Sequence, residues 1–229
     1  GMRKSAGQAG RTSFSVTPKG AGWQLNDFQA QGSTIDLKGA MEIGPDGLVL
    51  ADLSTFRASA GDDARLKVSR AGNGYKVSIQ GSSFNGQPAL KEVFSGATGK
   101  DPLDIDLDAK LGTVIGNNGE TLTGLDLRIS RRANTTRSFH LAGRLGGGTV
   151  EGRSSGDDTR LISLRSGDAG AALRFLDIYN RVGGGALTLD VTPGDVNRGR
   201  LRLQNFQVIG DQQLANVAHG PRAQARGMN

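Results

Sequence analysis

From Leu103 to Leu111 the chain alternates apolar and polar residues without a break. Leu103, Ile105, Leu107, Ala109 and Leu111 fall on one parity, and Asp104, Asp106, Asp108 and Lys110 on the other. Period two is the mark of a half-buried β-strand, because successive side chains point to opposite faces of a sheet. The same stretch has the D-x-D-x-D spacing that opens a calcium-binding loop, which also needs Gly at its sixth position and a bidentate Glu at its twelfth. Counted from Asp104, those positions hold Ala109 and Ile115. Next-but-one side chains on a strand stand roughly 6–7 Å apart, too far to converge on one ion unaided. The aspartates are therefore expected on the wet side of a strand, with no metal, and the question becomes what covers the apolar side.

Similar short segments recur along the chain, separated by turn chemistry. Ala40–Ile43 passes through GPDG (44–47) into Leu48–Leu50, and RLKVSR (65–70) through AGNG (71–74) into YKVSIQG. In the second turn Asn73-Gly74 is expected to supply the positive φ that a tight hairpin needs. LDAKLGTVI leads through GNNGE (116–120) into LTGLDLRIS, and ALTLDV (186–191) through TPGDVNRG into RLRLQNFQV. Repeated hairpins place consecutive strands side by side. The expected fold is mainly β: a long antiparallel meander of about thirteen strands, forming a curved sheet or trough, with one or two short helices. Glycine supplies 36 of the 229 residues without a collagen-like period, which suits a turn-rich β chain.

Two segments carry helical signals. PALKEVFSG has Pro88 at its start and Gly96 beyond its end, predicting a helix over about 88–95. In GDAGAALRFLDIYNRVGGG, Asp168 is a candidate N-cap, and Ala172, Phe175, Leu176, Tyr179 and Val182 share one helical face before Gly183. That pattern predicts a helix over about 168–182, with Phe175 and Tyr179 packed on a sheet. A weaker feature is an echo: QLNDFQAQG (24–32) and RLQNFQVIG (202–210) match at Leu, Asp or Asn, Phe, Gln and Gly.

The net charge is +6, and no acidic residue precedes Asp27 or follows Asp211. Residues 1–10 and 211–229 are expected to be basic, flexible segments. The opening Gly1-Met2 suggests a piece excised from something longer. No apolar run is long enough to span a bilayer as a helix.

Known chemistry finds little foothold. There is no Cys, and His140 and His219 lie in no triad or zinc context. FSGATGKD (94–101) has Phe94 and Asp101 where a phosphate-binding loop needs Gly and Ser or Thr. No catalytic residues and no cofactor are expected. The arginines are interleaved with acids and lack aromatic platforms, so nucleic acid is not an expected partner.

Most strands nevertheless have an apolar face, as in Leu125/Leu127/Ile129 and Leu187/Leu189/Val191. A second sheet could cover such faces in a closed sandwich, or one curled sheet could leave them to a ligand. The stretch from about 121 to 210 resembles the C-terminal region of AsmA-like proteins, a family that includes TamB-like and DUF3971-containing members. The resemblance rests on SGDAGAAL (166–173), GGALTL (184–189) and GRLRLQNF (199–206), with VSIQGSSFNGQPAL (77–90) similar to the DUF3971-type strand and turn upstream.

The resemblance implies an N-terminal β portion over 11–100 and an AsmA-like C-terminal portion with a helix over 101–210. It further implies a periplasmic part of a protein anchored in the inner membrane of a Gram-negative bacterium. Membrane contact would be made through parts missing from this fragment. A β trough with an apolar lining would then carry phospholipid acyl chains towards the outer membrane, and Leu103, Ile105, Leu107 and Ala109 form the expected lipid-facing wall. The alternative is a closed β structural or assembly module that binds an envelope protein partner through a sheet edge. A third, weaker expectation is an electrostatic binder of anionic glycolipid or nucleic acid, marked by strong salt dependence.

Overall fold

The computed structural model describes residues 10–95, 103–133, 135–155, 161–192 and 198–209. The expected flexible segments 1–10 and 211–229 lie almost wholly outside those residues. In chain order the elements are β1 (Arg11–Lys19), β2 (Gly22–Gln31), β3 (Asp36–Gly44), β4 (Gly47–Arg57), β5 (Asp63–Ala71), β6 (Gly74–Asn85) and α1 (Gln87–Ser95). There follow β7 (Asp104–Ile115), β8 (Thr121–Arg132), β9 (Thr135–Leu145), β10 (Gly148–Ser155) and β11 (Leu161–Ser166). The chain continues through α2 (Ala169–Phe175), β12 (Val182–Gly183), β13 (Ala186–Thr192), β14 (Arg198–Gln204) and β15 (Gln207–Val208).

Thirteen strands make one sheet in the order β1 to β11, then β13 and β14, while β12 pairs with β15 alone. The sheet does not close into a barrel; β1 and β14 each have one neighbour in it and form its two edges. The predicted hairpins at 44–47, 71–74 and 116–120 all form. In the second turn, however, the positive φ falls on Gly72 (57°) and not on Asn73-Gly74. Every neighbouring pair in the sheet is antiparallel except one. β6 and β7 run parallel, registered from Gly74 opposite Asp104 to Asn85 opposite Ile115. A parallel pair needs a crossover, and α1 lies in that connection. The expected division near residue 100 falls in 96–102, outside the described residues, and the strands on either side of it belong to one sheet.

The helices sit at the same margin of the sheet, where β6 and β11 end. Asp168 caps α2, accepting from Ala171 N at 2.9 Å and from Gly147 N at 3.1 Å. The helix is half as long as its apolar stripe predicts. Asp177 adopts a left-handed φ of 58°, and Ile178 N turns back to donate to Leu173 O at 2.9 Å. Phe175 packs as expected, 6% exposed, whereas Tyr179 lies past the helix and is 40% exposed. Val182 is buried, but as a residue of β12.

The β7–β8 turn clamps the end of α2. Asn117 Nδ2 donates to Phe175 O at 3.1 Å, Asn118 Nδ2 to Arg174 O at 2.9 Å, and Arg174 Nε reaches Glu120 Oε1 at 2.7 Å. Gly116 is required there, since a Cβ would stand 2.2 Å from the Phe175 ring. Ala169, Ala171, Leu173 and Phe175 thereby join Val114, Leu122, Leu145 and Val150 in the core.

The β4–β5 turn at the same margin is fastened by Asp62, one of two buried polar residues among those described. Its carboxylate accepts from Ala58 N (3.0 Å), Ser59 N (2.8 Å) and Asn85 N (2.6 Å), tying the turn to the end of β6. Replacing Asp62 with Ala strands three donors in the interior and should cost about 2–4 kcal/mol. Urea titration of wild type, Asp62→Ala and Asp62→Asn should rank them in falling order of stability as wild type, Asn, Ala.

Candidate functional site

Residues directly opposite one another on paired strands share a face, so the register converts alternation into rows across the sheet. One row runs through Leu53, Leu66, Ile79, Ala109, Leu127, Leu141, Gly152, Leu164, Leu189 and Leu201, from β4 to β14. A second runs through Val16, Leu25, Met41, Ala51, Val68, Val77, Leu107, Ile129 and Phe139, from β1 to β9. At Gly152, the gap in the first row, a Cβ would come within 2.5 Å of the Phe139 ring. An aromatic side chain of the second row thus covers the missing one. At a strand spacing of about 4.8 Å, thirteen strands carry this apolar floor over about 58 Å of contour.

The floor is buried in its middle and open at its borders. Leu53, Ile79, Ala109 and Leu111 are buried, whereas Val16, Trp23 and Ile43 near one edge and Leu201 at the other are exposed. Among the described residues the covering elements are helices and the β12–β15 pair at one margin, not a second large sheet. The expected wall residues divide as follows. Ile105, Leu107 and Ala109 lie on the floor, flanked by Tyr75, Val77 and Ile79 of β6 and by Arg131, Ile129 and Leu127 of β8. Ala109 is buried; Ile105 and Leu107 are half-buried. Leu103 precedes β7, pairs with no strand and is 42% exposed.

Asp104, Asp106 and Asp108 occupy the opposite, charged face. Arg132 grips Asp106 with two contacts, Nη1 to Oδ1 at 2.8 Å and Nη2 to Oδ2 at 3.0 Å, and Ser130 Oγ donates to Oδ1 at 2.7 Å. Asp104 accepts from Ala133 N at 2.9 Å and stands 3.9 Å from Arg132 Nε. These hydrogen bonds, from Arg132 first and Ser130 second, hold the Asp106 carboxyl below the usual carboxylate range. Arg128 does the same to Asp126, two residues before it on β8. A shallow groove on this face is lined by Lys67, Lys76, Asp106, Asp108 and Arg128, so cations and carboxylates are interleaved there. No group of three His, Asp or Glu able to hold a metal occurs among the described residues.

Two cationic floor residues were not foreseen, Arg70 of β5, at the parity of Leu66 and Val68, and Arg131 of β8. Arg131 continues the parity of Leu127 and Ile129 and stands opposite Ile105, so a guanidinium lies on the apolar face. The sequence signal was there, in the alternation of LDLRISR, but a terminal Arg reads as the end of a strand. No family model, no curated protein and no solved structure matches the chain.

Lowering of the Asp106 pKa in the folded state means that its contribution to stability is present above about pH 5 and is lost as pH falls through 4 and below. Because the pair is about one-third exposed, the effect is modest. Asp106→Asn should lower Tm by no more than about 4 °C at pH 7, with the difference from wild type closing towards pH 2–3 in a thermal melt series.

Proposed function

We propose that this chain is the β-trough portion of an AsmA-like envelope protein and carries phospholipid by sheltering acyl chains on its apolar sheet face. The observation that carries this reading is the pair of apolar rows that cross the sheet with a charged opposite face and exposed apolar residues at both edges. Most residues of those rows are only half-buried by the protein itself, and a contiguous apolar surface of that extent marks a binding face. The resemblance of 121–210 to the AsmA-like C-terminal region supports the same reading and supplies its setting: a periplasmic part of an inner-membrane-anchored protein, serving the outer membrane.

In this mechanism the trough runs across the strands, from the β1 edge towards the β14 edge. Chains lie along the rows, and affinity follows the apolar area removed from water, about 25 cal/mol per Å². Movement along the floor is passive, because apolar side chains follow one another from strand to strand, with Phe139 covering the gap at Gly152. No bond is made or broken, and no residue acts as acid, base or nucleophile. The core around α2 closes one margin with packed side chains, leaving the opposite margin, where Trp23, Ile43 and Tyr75 stand, for headgroups to reach water.

The second reading, a structural module recruiting a protein partner by strand addition, is favoured by the two unpaired edges. Arg11 and Lys19 on β1 and Arg198, Arg200 and Arg202 on β14 oppose it, since edge cations hinder strand addition.

Native mass spectrometry with lipid extraction tests the choice. Protein expressed in bacteria should carry phospholipid in whole-number ratio. Ile105→Asp/Leu107→Asp should remove it, and Arg128→Asp on the other face should retain it. A folded, lipid-free wild type would contradict the trough and favour the edge-binding module.

A further inference from the structure

Arg131 raises a question that lipid chains alone do not answer. At the margin away from the helices, Arg70, Tyr75, Ile105 and Arg131 stand opposite one another on β5, β6, β7 and β8. The two arginines sit at the ends of this row, with an aromatic and an aliphatic side chain between them. Arg70 is held: its Nη1 donates to Asp46 O at 2.9 Å in the β3–β4 turn. Arg131 is not. Its Nε is out of contact with solvent and makes no hydrogen bond among the described residues.

The neighbouring carboxylates do not serve it. Asp104, Asp106 and Asp108 of β7, and Asp126 of β8, have the opposite parity and lie on the charged face. Two of them are engaged by Arg132, the next residue along. A guanidinium donor left unmade on an apolar face is costly and calls for a functional explanation. The residue as a whole is only half-buried, so the remainder of the guanidinium can reach an anion from the margin while its stem lies along the floor.

We propose that Arg131 binds the phosphate of a phospholipid whose acyl chains lie on the floor beside Ile105, Leu107 and Ile129. This rests on the trough reading and adds to it a headgroup specificity: a phosphate-bearing amphiphile is held, and one lacking phosphate is not favoured. Guanidinium matches phosphate through paired, charge-assisted hydrogen bonds. Tyr75, an amphipathic ring one strand beyond Ile105, suits the boundary between chain and headgroup.

The test compares a phosphatidylglycerol bearing one fluorescent acyl chain with the diacylglycerol of the same chains, titrated into wild type and Arg131→Gln. Wild type should bind the phospholipid about tenfold or more tightly than the diacylglycerol. Arg131→Gln should bring the phospholipid down to the diacylglycerol level and leave diacylglycerol binding unchanged, which also certifies that the variant folds. Equal binding of both lipids by wild type, full retention of the preference in Arg131→Gln, or equal loss of both lipids in it would overturn the assignment. Binding of neither lipid by wild type would sink the trough reading itself. Glycerol 3-phosphate at the lipid's concentration should not displace the probe; displacement would make this a site for soluble phosphate esters.

Discussion

The two halves of the sheet meet at one parallel pairing, and the continuity of the apolar floor depends on its register. Val77 opposite Leu107 and Ile79 opposite Ala109 join rows built independently by the hairpins on either side. A slip of one residue there would turn the whole of β7 to β14 over relative to β1 to β6, since side chains alternate strictly. The floor would then change face at mid-sheet, with Asp106 and Asp108 beside Val77 and Ile79. Burial of Ile79, Ala109 and Leu111 is what opposes the slip. The charged face opposes it too, because Lys76 of β6 stands directly opposite Asp106 of β7.

The same division of labour explains the margins. One is made of packing: α2, the Asp62-fastened turn and the Asn117–Asn118 clamp bring backbone amides and carbonyls into defined partnerships, and alanines approach closely enough to be wholly buried. The other, among the described residues, carries the β1–β2, β3–β4 and β5–β6 turns and exposed large side chains, Trp23 and Ile43 among them. Stability is thus concentrated on one side of the floor and access on the other. The proposed phospholipid, with its phosphate at the Arg131 margin, would fit that asymmetry, its apolar and charged parts each meeting a matching part of one surface.

Much of this was legible in the sequence. Alternation fixed the strands, and glycine-bearing turns joined most of them, because both signals act over a few residues. The parallel joint was not legible: α1 was readable from Pro88, but which strand its connection would reach is a long-range matter. The overlong α2 has a local cause, Asp177, whose left-handed turn defeats an apolar stripe that continues beyond it. The echo between 24–32 and 202–210 proves to have a backbone basis. Asp27 and Asn205, at matching offsets, adopt φ values of 51° and 52°, bulging β2 in one case and ending β14 in the other. Of the expected wall, Ile105, Leu107 and Ala109 fall on the apolar face. Leu103 does not extend it, because pairing begins only at Asp104.

The claim that matters most is that acyl chains lie on one face of this sheet and not the other. The chain has a single tryptophan, Trp23, so replacing it with Phe leaves a silent background for a tryptophan placed at Leu127 or at its neighbour Arg128. These positions alternate between the floor and the charged face. Phospholipid brominated on its acyl chains should quench the fluorescence of Trp at 127 and leave that at 128 unchanged. Equal quenching at both positions, or quenching at 128 alone, would contradict the account.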